Sequence, residues 1–383
     1  MDSSFFDRYF NDSHRQFRAT CARFAKEEIA PHAYEWEEAE TFDRELYRKA
    51  AKAGLLGAML PEQYGGGGGD IFHSIVMTEE LLRGGSTGVV VGLGSLGIGL
   101  PPILYLGTEE QKKRFIPPVL AGDKISALAI TEPGTGSDVA GIQTKAERDG
   151  DHYVLNGAKI FITSGVRADY VSVLARTGPD PHGGLTFFLV EKGMPGFTVS
   201  RSLKKTGWRA SDTGELSFDN VRVPVANRLG AEGTGFVQLM KNFQGERISL
   251  AVQAYALAEI AFDEAFSYAR ERKAFGKTLA GFQVTRHKLA DMATRVFTAK
   301  SITYQCADRM QKGEYIVREV SMAKNFAAEI AQEVCYEAVQ IFGGMGYMRE
   351  TLVERISRDV RLIPIGGGTQ EIMKEIIAKA LGI

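Results

Sequence analysis

The chain has 383 residues, a formal net charge of −1 and three cysteines. That length supports two or three packed domains, and the charge balance excludes a bulk electrostatic pull toward nucleic acid or an anionic membrane surface. Cys21, Cys306 and Cys335 are spaced for neither a disulfide framework nor a metal cluster, which fits buried thiols in a reducing compartment. Met1 to Phe10 carries Asp2, Asp7 and Arg8 and no apolar signal region, so a cytoplasmic location is expected.

From Phe5 to about Gly122 the pattern is helical, with Phe17, Phe24, Ile29, Leu46, Ala50 and Leu55 recurring among charges. Pro61-Glu62-Gln63-Tyr64 and the five glycines after it read as a flexible connector. Gly84 to Thr108 holds no charge but is interrupted by glycines and by Pro101-Pro102. A buried helix with close backbone neighbours is expected there, and no membrane span.

From Lys124 to about Gly230 the period becomes two. Strands are predicted at Tyr153–Gly157, Tyr170–Leu174, Leu185–Val190 and Glu215–Phe218, with turns at Asn156-Gly157 and Pro195-Gly196. The rest is helical again. Phe236 to Arg272 predicts a helix roughly 50 Å long, and runs at about Val284–Lys312 and Tyr315–Phe342 are long enough to pack beside it as a bundle.

One segment joins the first helices to the strands: Leu128-Ala129-Ile130-Thr131-Glu132-Pro133-Gly134-Thr135-Gly136-Ser137-Asp138-Val139. Its hydroxyls and glycine-opened N–H groups suit a flat polar ring edge or a thioester, and suit an ordinary Pro-Gly turn equally well. Arg272, at a helix end, has the fork that matches a diphosphate, or is a solvated surface residue. Gly343-Gly344 allows close backbone approach or a helix C-cap.

In this order along the chain, Thr131-Glu132-Pro133-Gly134-Thr135-Gly136-Ser137-Asp138, Phe161-Ile162-Thr163-Ser164-Gly165, Arg270 to Lys277 and Gln340 to Tyr347 resemble the motifs of the acyl-CoA dehydrogenases. The resemblance covers essentially the whole chain. It implies an α+β fold: an N-terminal helical domain (1–122), a middle β-barrel or sheet domain (123–232) and a C-terminal four-helix bundle (233–383). It also implies FAD as cofactor. Leu128, Thr131, Phe161 and Thr163 match positions lining the flavin ring, Phe161 standing where many members carry tryptophan. Ser137 matches a position near the thioester and pantetheine. Arg272, Phe275, Gln283, Gln340, Gly344, Thr369 and Glu371 match contacts to the pyrophosphate and adenosine portion, several of them made to a neighbouring subunit of a homotetramer.

Acyl-CoA dehydrogenation needs a carboxylate in reach of the carbon alpha to the thioester, and donors on the thioester oxygen. In most members of the resembled family a glutamate just before the C-terminal Gly-Thr is the base. Gly367 occupies that position here and has only a backbone N–H to offer the thioester oxygen. Other members, including long-chain and isovaleryl enzymes, carry the glutamate on the long helix directly before an arginine, and Glu246-Arg247 matches that place. Helical spacing independently puts Glu246 on one face with Phe243 and Leu250, where desolvation raises a carboxyl toward general-base values. Gly245 beside it costs about 1 kcal/mol relative to alanine, as a close-approach position would. The competing reading pairs Glu246 with a basic side chain at the surface. Arg247 is expected to position substrate or to form a helix salt bridge.

Val90 and Gly94 match residues that close the floor of the acyl cavity in medium-chain relatives and leave it without polar caps; Phe243 is a further candidate substrate-binding residue. The resemblance therefore implies a medium-to-long or branched acyl-CoA as substrate and electron-transfer flavoprotein as acceptor. An oxygen-using oxidase on the same fold and a non-catalytic FAD- or acyl-CoA-binding subunit are the alternatives.

Overall fold

The computed structural model describes residues 4–383. The first three residues of the N-terminal stretch read above lie outside the described residues.

Helices Asp12–Phe24, Glu45–Lys52, Ile71–Leu82, Thr87–Gly94 and Glu109–Leu120 dominate the N-terminal part. Asn11, Asp70 and Thr108 begin three of these helices with reciprocal capping boxes. Two of the boxes interlock, since His14 Nε2 lies 2.9 Å from Asp70 Oδ1. His14, Asp70 and His73 are also close enough to hold a metal ion. Yet each imidazole Nδ1 receives a backbone N–H, from Asn11 and Asp70 respectively. His73 Nδ1 also lies 2.9 Å from Asp70 Oδ1, and His73 Nε2 lies 3.0 Å from Ser13 Oγ, so hydrogen bonding accounts for the cluster.

The glycine run is not a flexible connector. Gly66, Gly67, Gly68 and Gly69 donate to Pro61, Gly57, Leu60 and Ala58 carbonyls. A Cβ at Gly66 would meet Leu60 O at 2.1 Å. Glycine is needed because two backbone segments are pressed together.

Thr87–Leu106 is apolar and long enough by composition to cross a membrane, with a mean hydropathy of 1.9. Its place is in the interior. Val89, Leu93, Leu100 and Ile103 are buried, and Gly92 abuts the Phe42 ring.

The middle part is one sheet of eight strands: β1 (Ser126–Ala129), β2 (Lys145–Asp149), β3 (His152–Thr163), β4 (Tyr170–Arg176), β5 (Leu185–Glu191), β6 (Phe197–Ser202), β7 (Thr213–Pro224) and β8 (Arg228–Leu229). The spatial order is β6-β7-β3-β2-β4-β5-β8, with β1 parallel to β4. Asn156-Gly157 is not a turn. It lies inside β3 at a bulge against β7, and the β2–β3 reversal falls at Gly150. A Cβ on Gly157 would meet Thr144 Oγ1 at 2.5 Å, so this glycine serves close approach rather than reversal.

Helices Gly235–Glu271, Gln283–Gln311 and Val317–Phe342 form the long members of the C-terminal bundle, and Gln370–Leu381 packs on the third. Alanines let these helices approach closely: Ala251, Ala254, Ala258, Ala261, Ala323, Ala327 and Ala331 are buried. A polar knot ties the bundle to the N-terminal helices. Glu79 accepts from Arg18 and from the hydroxyls of Tyr255 and Tyr304, and lies 3.1 Å from Lys300 Nζ. Burial would raise the Glu79 carboxyl, but Lys300 and Arg18 outweigh it and hold it ionised below its ordinary range.

Candidate active site

Two cradles and one isolated carboxyl make up the site. The first cradle lies where the loop after β1 meets β3. Ile160 N–H donates to Thr131 O at 2.9 Å. Beneath it, Lys159 Nζ donates to Ile130 O at 2.8 Å and to Glu132 Oε1 at 2.9 Å. Glu132 also accepts the N–H groups of Gln143 and Thr144. Burial pulls the Lys159 ammonium down to about 8 against the opposing charge of Glu132. Sequence reading missed this pair. Its signal was a lysine on the inward parity of a strand, where an unpaired charge is not tolerated.

The bulge between Lys159 and Ile162 breaks that parity and turns Phe161 outward, with φ +61° and 65% of its surface exposed. Leu128 and Thr131 are half-buried, Thr163 likewise, and Gly134 and Gly136 open onto free space. Ser137 is exposed on the same loop. An exposed aromatic face beside a loop of free hydroxyls and N–H groups fits the edge and face of a flavin ring. Leu128 stands on β1, Thr131 on the loop after it, and Phe161 and Thr163 on β3, and the Ile160–Thr131 bond ties that loop to β3.

The second cradle is at the far end of the long helix. Arg272 N–H closes that helix on Tyr268 O, and the Tyr268 ring stacks on Phe342 at 4.2 Å, just before Gly343-Gly344. Arg272, Phe275, Gln283, Gln340 and Gly344 are all exposed here, Phe275 at 94%. Among the described residues Arg272 has no carboxylate partner, and its fork is free for an anion. Thr369 caps the last helix through Ile372 N–H, and Glu371 follows it, exposed.

Glu246 sits partway along the long helix, partly accessible, and among the described residues it has no hydrogen bond or ion pair, against the surface-pairing reading. Burial raises its carboxyl to about 7, opposed by the charge of Arg247. Arg247 is itself buried, without a salt bridge; its Nε has no partner, and its guanidinium carbon is 5.9 Å from the Phe243 ring centroid. One turn on, Leu250 touches the Gly366–Gly368 loop. A Cβ on Gly367 would lie 2.3 Å from Leu250 Cδ1. The vacated position therefore lies against the long helix one turn from Glu246. Gly245 and Gly94 both face open space, and Val90 is buried nearby in sequence on the apolar helix. A carboxyl held near neutrality beside such space can take a proton at physiological pH.

Family models for the acyl-CoA dehydrogenase N-terminal, middle and C-terminal domains match residues 11–123, 127–221 and 233–382. The chain is 43% identical over 377 residues to a long-chain specific acyl-CoA dehydrogenase of Sus scrofa, covering 98% of this chain and 87% of that one. It is 44% identical over 360 residues to an acyl-CoA dehydrogenase of Bacillus subtilis, covering 94% and 95%. A short-chain specific enzyme of Clostridium acetobutylicum is 41% identical over 364 residues, covering 94% and 96%. Among solved structures, an acyl-CoA dehydrogenase from Geobacillus kaustophilus superposes with a TM-score of 0.95 at 41% identity, over 98% of this chain and 100% of that chain. The α–β–α layers are those of a flavin-dependent dehydrogenase. The chain belongs to the acyl-CoA dehydrogenase family, whose cofactor is FAD.

Proposed function

We propose that this chain dehydrogenates a fatty acyl-CoA thioester to the trans-2-enoyl-CoA, with Glu246 as the base. In this reading the Glu246 carboxylate takes the α-proton, and the electron pair of that C–H bond becomes the new double bond as hydride leaves the β-carbon. Bound FAD supplies the hydride acceptor, and Leu128, Thr131, Phe161 and Thr163 would hold its ring. Arg272, Phe275, Gln283, Gln340, Gly344, Thr369 and Glu371 would hold its diphosphate and adenosine, partly across a homotetramer interface. Gly367 N–H donates to the thioester oxygen, where charge builds. Ser137, Phe243 and Arg247 flank the thioester and pantetheine.

The observation that carries this reading is Glu246 itself: a carboxyl without a partner, raised to about 7, one turn from the contact with Gly367. Val90 and Gly94, with open space at Gly94, favour a medium-to-long or branched tail. We assign electron-transfer flavoprotein as acceptor on family grounds, and the cytoplasm as location from the likeness to the Bacillus subtilis enzyme. The test is Glu246→Gln: FAD binding is retained, while anaerobic bleaching of the flavin by acyl-CoA is abolished. Normal turnover by that variant would refute the assignment, and a panel of acyl-CoA chain lengths would decide the tail.

A further inference from the structure

Lys324 lies on Val317–Phe342 with none of its surface exposed, between the buried alanines Ala323 and Ala327. Burying an ammonium in such a helix interface is costly, and an aliphatic side chain of similar length would be the cheaper filler. Among the described residues its one hydrogen bond is from Nζ to Gly368 O, 2.7 Å. The next residue, Asn325, donates from Nδ2 to Gln370 O at 3.2 Å.

The loop these residues hold has three consecutive glycines and so no side chain of its own to fasten it. Gly367 and Gly368 take φ values of +63° and +95°, and three glycines lose more freedom on ordering than any other tripeptide. Gly366 N–H reaches Leu362 O at 2.9 Å on one side. On the other side the anchor is Lys324. The Arg247 guanidinium is near enough to act on Lys324 as a like charge, with Glu371 opposing it. One buried cation thus holds, with a second close to it, a loop that touches the base-bearing helix through Leu250.

We propose that Lys324 is a positioning residue for the reaction: through Gly368 O it fixes the Gly366–Gly368 loop so that Gly367 N–H is aimed at the thioester oxygen, and with Arg247 it places positive charge on the side of the site where that oxygen gains negative charge. This rests on the reading of Gly367 and Glu246 given above.

The test uses the FAD-loaded enzyme and an acyl-CoA with sulfur in place of the β-methylene. That probe can lose its α-proton but no β-hydride, and its enolate is read by a long-wavelength band with the oxidised flavin. In Lys324→Met we expect unchanged FAD content and an apparent pKa of the bound probe raised by about one unit, a tenfold loss of enolate near neutrality. Turnover should fall about tenfold in kcat with KM little changed, as for an interaction made mainly in the transition state. Lys324→Arg, which keeps a cationic donor, should recover most of both. If the methionine variant does not accumulate, Lys324→Gln carries the same measurement. An unchanged probe pKa, with activity loss that only follows the folded fraction, would overturn the proposal. A wild-type enzyme that forms no band at any pH would instead refute the underlying reading of Glu246 and Gly367.

Discussion

Gly367 and Leu250 are packed against each other so that an added Cβ at 367 would sit 2.3 Å from Leu250 Cδ1, and Leu250 must shift before a side chain fits there. Leu250 is one helical turn beyond Glu246. The side chain that bars a carboxylate from the C-terminal loop therefore stands on the element that supplies a carboxylate itself. The backbone adds a second bar, since φ is +63° at Gly367.

A base transplant follows from this contact. Moving the glutamate with Glu246→Gln and Gly367→Glu should give an inactive and less stable protein. The left-handed backbone costs about 1–2 kcal/mol and overpacking about 1–3 kcal/mol. Adding Leu250→Ala should remove the second cost and return measurable flavin bleaching by acyl-CoA. Activity in the double variant without the leucine change would contradict the packing argument.

The pH profile should carry the Glu246 carboxyl. With burial raising it to about 7, kcat/KM is expected to climb as pH rises through about 7 and then level off. A profile flat from pH 5 to 9 at saturating FAD would count against Glu246 as the proton acceptor.

Stability should move the other way at the same residue. A carboxyl raised in the folded state favours folding below its unfolded value of 4.5, and that contribution is lost as pH rises through about 7. Glu246→Gln should therefore stabilise the enzyme by about 1–2 kcal/mol at pH 8, and by little at pH 4.5. Chemical denaturation at the two pH values is the measurement.

Lys159 and Glu132 should behave as a unit under the flavin-facing loop. Lys159→Met leaves the Glu132 carboxylate enclosed without its cation, which typically costs about 3–5 kcal/mol. Loss of FAD on gel filtration, with a lower melting temperature, is expected. Full FAD retention would show that the loop does not depend on the pair.

A second acid marks the junction of the three layers. Asp359 accepts Trp208 N–H at 2.6 Å, while Glu37 accepts Arg209 N–H at 3.1 Å and a hydrogen bond from Ser86 Oγ. Burial first, and Glu37 second, push the Asp359 carboxyl up to about 7. Its contribution to stability is present below about pH 4 and lost as pH rises through about 7. Asp359→Asn should flatten this decline, with Trp208 fluorescence reporting the junction.

Much of the site could be read before any fold was known. The long helix is legible from apolar spacing alone, and its observed span, Gly235–Glu271, differs by one residue at each end from the reading. Glu246 is recognisable because a carboxylate on an apolar face demands either a partner or a use. Gly367 is recognisable as a missing side chain. The Asn156-Gly157 pair and the glycine run misled for a shared reason: glycine answers both to φ and to space, and sequence shows only that glycine is there.

Periodicity, which is local, determined the α–β–α order, and the resemblance carried by short motifs implied the flavin-lining loop and the candidate base. Tertiary structure alone decided that Glu246 has no partner, that Phe161 turns outward at a bulge, that Lys159 lies beneath Thr131, and that Lys324 holds the glycine loop Leu250 touches. Each of these depends on which distant segments exclude water from one another. A buried charge finds its partner across 27 residues for Lys159 and Glu132, and across 44 for Lys324 and Gly368. No spacing rule reaches that far, because the pairing is set by packing geometry rather than by the helical or strand repeat.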